Sequence, residues 1–465
     1  MKILAQLMNT VTAVIIGRFI GARLYGAYSY SMAWISIVTV FTMFGIDNSM
    51  LYLYSKYNQD ASGRNKLVSF ALMWVVFLSS LVILMVLLER GSLNAVIEMQ
   101  YMDSVKTLIP LVLMLSVNQV LYSVFRSVSQ VRVSVFINDL VFPLLKLTVI
   151  VSALMMGYQT QALAYSIYIA VMICLVLYCL AVVQLKPFRI ERPHKAIAVE
   201  TLKYSWPLFF SGAIVALLAR MDVLFLGRLA NTQSVGIYNI VFQITILLSF
   251  INNAVGTVYA PMISSHYHAG NIHELKIQYK KVSFAVFYIT LLFFAPVAVF
   301  SREILSIFGA EFVIGSTALI ILSIGQLVNN YASMAGYMNS MTGHPEYSMY
   351  DGVAALFING GLNLLLIPKI GMAGAALASL CTILFRSVFH QLMVYKNMRI
   401  SIFSNEHVKA GTIITLSSIV LIVMKSMTGH FNLLAQIIIC GSIYVLSFAL
   451  LTVKIIDIKD IMKNS

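Results

Sequence analysis

Runs of apolar residues separated by short polar segments recur along all 465 residues of the chain. A helix needs about 20 such residues to cross about 30 Å of hydrocarbon. Fourteen runs reach that length, roughly at 2–20, 27–54, 67–88, 106–126, 136–157, 160–185, 204–227, 235–261, 282–300, 314–340, 347–367, 371–395, 408–425 and 431–453. Lipid offers no hydrogen-bond partner to a bare backbone, so each run must satisfy its own amides as a helix. The predicted class is an all-α integral membrane protein of about 14 transmembrane helices, with no room between them for a soluble domain. The run at Met1–Ile20 is followed by a second run at once and by no small-residue cleavage pattern, so it reads as an uncleaved first helix.

Composition agrees with this reading: 60% of residues are hydrophobic and 10% charged, and the mean hydropathy is +0.89. No single globular core could hide so much apolar surface. The balance of 31 Lys+Arg against 17 Asp+Glu gives +14, which in so apolar a chain points to an anionic leaflet and not to nucleic acid. With the N-terminus inside, twenty Lys and Arg fall in cytoplasmic segments and eight on the opposite side, which places both termini in the cytoplasm. Cys174, Cys179, Cys381 and Cys440 lie in apolar runs without metal-ligand or disulfide spacing, and no cofactor chemistry is visible.

The chain also repeats itself. At an offset of 210, Gly17-Arg18 meets Gly227-Arg228, Gly26 meets Gly236, Tyr28 meets Tyr238, Ser55 meets Ser265, and Lys66 meets Lys276. At an offset of 214, Gly157 and Ala162-Leu163-Ala164 meet Gly371 and Ala376-Leu377-Ala378. Six helices are repeated, which divides the chain into an N-terminal lobe (1–185), a basic cytoplasmic linker (186–203), a second lobe (204–395), and helices 13 and 14 with a tail (396–465). Six is even, so the two lobes are parallel repeats about an axis along the membrane normal, as suits alternating access.

The stretch Gly17-Arg18-Phe19-Ile20-Gly21-Ala22-Arg23-Leu24-Tyr25-Gly26-Ala27-Tyr28, with the basic linker and the Gly371-Met372-Ala373-Gly374 turn into helix 12, resembles the Wzx-type polysaccharide (O-antigen) flippases. The resemblance covers essentially the whole chain. It implies the fold of the multidrug/oligosaccharidyl-lipid/polysaccharide exporter superfamily, two six-helix lobes around a central cavity plus two C-terminal helices. It also implies that helices 1, 2, 7 and 8 line that cavity, which would gather Arg18, Asp47, Arg220, Asp222 and Arg228 around it. One departure is the start: helix 1 begins at Met1 without the family's usual polar leader, as if an upstream start were missing.

Ionisable residues inside spans are costly, about 2.5–3.5 kcal/mol each at a helix centre by insertion scales, and mark a pathway by default. Lys146 lies near the middle of helix 5, and Arg132, Asp139 and Lys146 are spaced by seven on one face. Either Lys146 pairs with Asp139 to fasten the helix, or it serves substrate. Arg220 and Asp222 are two apart and point to different sides, so at least one needs a partner elsewhere. Arg18 and Arg228 can equally snorkel to the outer headgroups. Asn118, Tyr122 and Arg126 on helix 4, and Arg386 and His390 on helix 12, form polar stripes suited to a diphosphate, although Arg126 also reads as a positive-inside anchor. His266, His268 and His273 read as a solvated loop in preference to a metal site, and Glu89, Glu98, Asp103, Glu303 and Glu311 as solvated outer positions.

The function expected is a flippase moving a polyprenyl-diphosphate-linked oligosaccharide from the cytoplasmic to the periplasmic leaflet of a bacterial inner membrane for O-antigen or capsule synthesis. Multidrug or cation antiport on the same fold is the alternative, and a membrane polymerase or glycosyltransferase a more distant one. The partners implied are the lipid-linked oligosaccharide, membrane lipid, a coupling ion (H+ or Na+) and other polysaccharide-assembly proteins.

Overall fold

A computed structural model describes residues 2–88, 97–128, 130–401, 405–428 and 432–455. Arg90 and the basic tail carrying Lys459 and Lys463 lie outside the described residues. Among the described residues every element is helical. The first group is α1 (Lys2–Ile20), α2 (Ala22–Met43), α3 (Ile46–Lys56), α4 (Ala61–Leu88), α5 (Met99–Leu108) and α6 (Leu111–Ser127). Then follow α7 (Val131–Phe136), a π turn (Ile137–Val141), α8 (Phe142–Met155), α9 (Gln159–Leu185), α10 (Lys195–Leu229), α11 (Thr232–His268) and α12 (Ile272–Val299). The last are α13 (Ser301–Ser306), a 3-10 turn (Ala310–Gly315), α14 (Ser316–Met341), α15 (Glu346–Ile370), α16 (Met372–Met398), α17 (Asn405–Met427) and α18 (Leu433–Ile455).

Eleven spans among the described residues are long and apolar enough to cross a bilayer, or twelve if α5 and α6, bent by 45°, count as one. Two shorter apolar helices, Leu4–Ile20 and Ile438–Thr452, fall below that length. The chain is an all-α multi-pass membrane protein. The count of fourteen is not confirmed among the described residues, where one expected span is broken at Ile109–Pro110.

Contacts group the chain into two compact units, Met1–Asn239 and Ile240–Ser465. In the first, Ile46, Met50, Leu53, Leu67, Val120, Phe125, Cys174 and Tyr178 form the core. The extended connection after α9 is fastened to that core: the Tyr54 hydroxyl donates to the Pro187 carbonyl at 2.8 Å, and the Glu191 amide to Ser69 Oγ at 2.9 Å. Ser62 and Asn65 donate to the Glu191 carboxylate, which holds it below the usual carboxylate range. On α10, Glu200 accepts from Lys56 and, at 2.6 Å, from the Tyr57 hydroxyl.

The second unit packs Tyr259, Leu275, Tyr279, Met334 and Met338 into one cluster and Phe300, Leu421, Cys440 and Tyr444 into another. Glu303, expected to be solvated, instead accepts from Lys425 at 2.8 Å and is only 22% exposed. Lys425 also donates to the Val299 carbonyl at 2.7 Å, so one ammonium ties α17 to the end of α12 and to α13.

The repeat register appears in the first unit as a reciprocal contact. A Cβ on Gly26 would lie 1.8 Å from the Thr232 carbonyl oxygen, and one on Gly236 would lie 2.0 Å from that of Ala22. Ala22 and Thr232, like Gly26 and Gly236, differ by 210 in number, so each residue touches the repeat counterpart of the other's neighbour. One turn further along, Asn239 Nδ2 donates to Ser29 Oγ at 2.6 Å, again across 210 residues. Ala22/Gly26 and Thr232/Gly236 are both small-xxx-small pairs, which let helix backbones approach closely where no aqueous hydrophobic effect drives them together. Gly26→Ala and Gly236→Ala should each destabilise the detergent-extracted protein by about 1–3 kcal/mol through forced separation of the helices. The double variant should cost less than the sum, because one separation relieves both clashes. Thermal unfolding measures this, and single variants as stable as wild type would contradict the contact.

Candidate functional site

Two basic side chains inside spans of the first unit converge on the same pair of tyrosines. Tyr25 and Tyr28 lie on the first turns of α2, 3% and 9% exposed, with ring centroids 6.3 Å apart. From α8, Lys146 places its Nζ 5.9 Å from the centre of the Tyr28 ring. From α10, Arg220 lies within electrostatic range of both phenols, and Lys146 within range of Tyr25. Among the described residues no carboxylate is within ion-pair distance of either cation. A ring face attracts a cation by about 0.5–2 kcal/mol, which positions the charge but does not neutralise it. The arrangement is two partly buried cations, with no carboxylate at ion-pair distance among the described residues, beside the Tyr28 ring and Tyr25, whose hydroxyl accepts from Asn239 Nδ2 at 3.3 Å.

The partner that the spacing of seven offered to Lys146 is not used. Asp139 has a buried Oδ2 with no hydrogen-bond partner, and it sits in the π turn at Ile137–Val141. A π turn inserts an extra residue into the helix, so Arg132, Asp139 and Lys146 no longer share one face. Asp222 points away from Arg220 and accepts from the Tyr238 hydroxyl at 2.5 Å.

The other expected positions are scattered. Asp47 lines a cavity of about 310 Å³ in the first unit, within electrostatic range of Arg126. Arg126 itself is exposed, with its guanidinium 5.3 Å over the Tyr122 ring. Arg18 and Arg228 are exposed in the last turns of α1 and α10. A larger groove of about 750 Å³, edged by Arg132 and walled by Phe136, Leu177 and Leu180, is mostly apolar and offers no convergent polar groups. The histidines expected in a loop are helical, His266 and His268 at the end of α11 and His273 at the start of α12, with His268 Nδ1 2.8 Å from the Ser264 carbonyl, and among the described residues no group of three or more His, Cys, Asp or Glu could hold a metal.

In the second unit Arg386 borders a polar cavity of about 270 Å³ together with Asn252, Ser333 and His390. Its Nε donates to Asp351 Oδ2 at 2.5 Å, and His390 Nε2 is 3.3 Å from the same oxygen. Asn339 holds His390 from behind, donating to its carbonyl at 3.1 Å. The partnership of Asp351 with Arg386 spans 35 residues and two helices, so no local spacing announced it. Tyr25 and Tyr28 were also missed as site residues, although the repeated Gly-x-Tyr pattern was a signal.

At this point the fold defines a class. The inward closed structure of the lipid II flippase MurJ is 15% identical, with a TM-score of 0.75 and coverage of 98% of both chains. An inward-facing multidrug resistance MATE family transporter is 13% identical, with a TM-score of 0.71 over 85% of this chain and 94% of that one. At such identities the likeness is one of fold alone. The family model described as "Polysaccharide biosynthesis protein" matches residues 1–266, more than half of the chain, and the chain belongs to that family. The MatE model matches residues 207–365. Among curated relatives, the "Probable low-salt glycan biosynthesis flippase Agl15" of Haloferax volcanii is 26% identical over 171 residues, 37% of this chain and 36% of that protein. An uncharacterized membrane protein of Methanocaldococcus jannaschii is 25% identical over 269 residues, 55% of this chain and 51% of that one. The matches thus span between about a third and a half of the length of these relatives.

Arg386→Ala should leave Asp351, 1% exposed, with a carboxylate only half satisfied, and lower stability by about 1–3 kcal/mol. Asp351→Asn combined with Arg386→Gln should recover most of it. Unfolding midpoints in detergent give the comparison, and an Arg386→Ala protein as stable as wild type would show that the pair is not what holds α15 to α16.

Proposed function

We propose that the chain is a flippase that carries a polyprenyl-diphosphate-linked oligosaccharide from the cytoplasmic to the periplasmic leaflet of a bacterial inner membrane, for surface polysaccharide of the O-antigen or capsule type. The observation that carries the reading is the pair Lys146 and Arg220, two cations in the membrane that meet tyrosines and no carboxylate. A diphosphate is the complementary charge. Arg220 offers it bidentate donors, Lys146 a point charge, and Tyr25 and Tyr28 two hydroxyls. These groups replace the water that the anion loses, and a low local dielectric strengthens each contact. Membership of a polysaccharide biosynthesis family and partial similarity to a glycan biosynthesis flippase support the same substrate class.

In this reading 1–185 and 204–395 are two lobes that rock against each other around the linker 186–203, with helices 13 and 14 (396–465) outside the repeat. Both termini are cytoplasmic, as the twenty-to-eight Lys/Arg asymmetry requires, and the energy comes from the membrane, through H+ or Na+ coupling. Drug or cation antiport on the same fold is the second reading. It would want carboxylates free to hold a cation; Asp351 is engaged by Arg386 and Asp222 by Tyr238, whereas Asp47 and Asp139 are the carboxylates that would serve this reading. The chain acts as a transporter and not as a polymerase or glycosyltransferase.

In cells lacking the gene, wild type should restore surface polysaccharide, while Lys146→Ala and Arg220→Ala should reach the membrane at near-normal abundance and let lipid-linked precursor accumulate inside. Arg220→Lys should rescue in part, since it keeps charge but loses the fork. Lys146→Met with Asp139→Asn should transport no better than Lys146→Met alone. Recovery of both abundance and transport in that double variant would make Lys146 a structural partner of Asp139 and overturn the site. Unchanged surface glycan in the deletion strain would overturn the function.

A further inference from the structure

The first unit contains a second polar site, built at a break in α2. Two successive residues between α2 and α3, Phe44 (φ 49°) and Gly45 (φ 74°), are left-handed. For Gly45 this is cheap, and its lack of a Cβ is required by α10, whose Ser205 carbonyl oxygen would be 2.6 Å away. For Phe44 it costs about 1–3 kcal/mol and persists only where the surroundings enforce it, as at ligand sites. The surroundings here are the Phe209 ring stacked on Phe44 at 4.9 Å, with Trp206 and Trp74 at 5.6 and 5.8 Å. The break opens on the cavity of about 310 Å³, which Ser36 and Thr39 line from α2, Asp47 from α3, Asn118 and Gln119 from α6, and Phe209 from α10.

Acceptors predominate in its lining, beside the amide donors of Asn48 and Gln119. Ser36 Oγ donates to the Met32 carbonyl and Thr39 Oγ1 to the Ile35 carbonyl, each at 2.7 Å, so both protons are spent inside α2 and only lone pairs remain. Asn118 Nδ2 donates to Asn138 Oδ1 at 3.2 Å, and Asn138 Nδ2 to the buried Tyr178 hydroxyl at 2.9 Å. That relay fixes the amide so that its other end, Oδ1, is the free one. Asn118 is 8% exposed, and this oxygen is buried without a partner. Asp47 adds a carboxylate, with the Gln119 side chain in reach of it. Acceptors and amide donors together suit a ligand whose groups both donate and accept, as hydroxyls do. A diphosphate, all acceptor and anionic, would meet the Asp47 carboxylate and three lone-pair oxygens. A bare cation would satisfy the oxygens but leave most of the volume and the Phe209 wall unused, since oxygen cages hold such ions at about 2.3–2.6 Å.

We propose that this cavity is a sugar subsite, in which one pyranose ring of the transported glycan donates its hydroxyls to Ser36, Thr39, Asp47 and Asn118 and lays its apolar face on Phe209. The volume is at the small end of ligand pockets, roughly 300–1,000 Å³, and suits one ring, not an oligosaccharide. The proposal rests on the flippase reading and divides its labour: anion recognition at Lys146 and Arg220, sugar recognition at the α2 break.

The test is tryptophan fluorescence of the full-length protein in detergent, since Trp206 is 6.4 Å from Phe209. Methyl pyranosides of glucose, galactose, mannose and N-acetylglucosamine are titrated in choline chloride, beside parallel titrations with NaCl and with choline pyrophosphate. At least one pyranoside should give a saturable change, with affinity lowered about tenfold in Asn118→Leu and in Thr39→Val, the worth of one hydrogen bond. Thr39→Val keeps the shape of the side chain and decides the matter if Asn118→Leu fails to fold. A response to Na+ alone, a pyrophosphate response lost in Thr39→Val, pyranoside binding unchanged in Thr39→Val, or no pyranoside response would each overturn the subsite. The flippase reading fails separately, by unchanged surface glycan in the deletion strain, whatever the titrations give.

Discussion

The main chains of α2 and the first turns of α11 meet at Gly26 and Gly236 with no side chain between them. That contact fixes where α2 lies, and α2 carries most of what the molecule offers a polar ligand. Its first turns place Tyr25 and Tyr28 near Lys146 and Arg220, its middle presents Ser36 and Thr39, and its end breaks at Phe44 to admit Asp47. A side chain as small as a methyl at either glycine would push α2 outward and displace all three at once.

The repeat explains why similar positions do different work. Tyr28 and Tyr238 are counterparts at an offset of 210, yet Tyr28 faces a lysine ammonium and Tyr238 donates to the Asp222 carboxylate. In the second unit Asp351 and Arg386 are coupled and the charge facing the cavity is largely internal. Among the described residues Lys146 and Arg220 lie inside spans with no carboxylate within ion-pair distance.

The helical spans could be read from the chain because lipid imposes length and composition on every helix. The site was only half readable. Lys146 and Arg220 stood out as charges in apolar runs, but their tyrosine neighbours came from packing of α2 against α8 and α10, which no spacing encodes. The π turn at Ile137–Val141 was invisible because it changes no residue type, only the phase of the helix, and it removed the Lys146–Asp139 geometry that the spacing of seven had offered. The break at Phe44 was equally silent, since an aromatic residue in a left-handed conformation is held by Phe209 and Trp206 from a helix more than 160 residues away. Glu303 looked like a loop carboxylate and proved to be an anchor for Lys425, a pairing 122 residues apart.

The central claim, that two uncompensated cations move a diphosphate-linked glycan across lipid, is tested most directly in proteoliposomes loaded with a fluorescently labelled polyprenyl-diphosphate oligosaccharide. A membrane-impermeant reductant bleaches only label on the outer face. With the wild-type protein and an imposed ion gradient, bleaching should pass the half that a static symmetric bilayer allows and run towards completion, while vesicles carrying Lys146→Met with Arg220→Gln should stop at that half. Wild-type vesicles that stop with protein-free ones, or a double variant that bleaches as fast and as far as wild type, would contradict it.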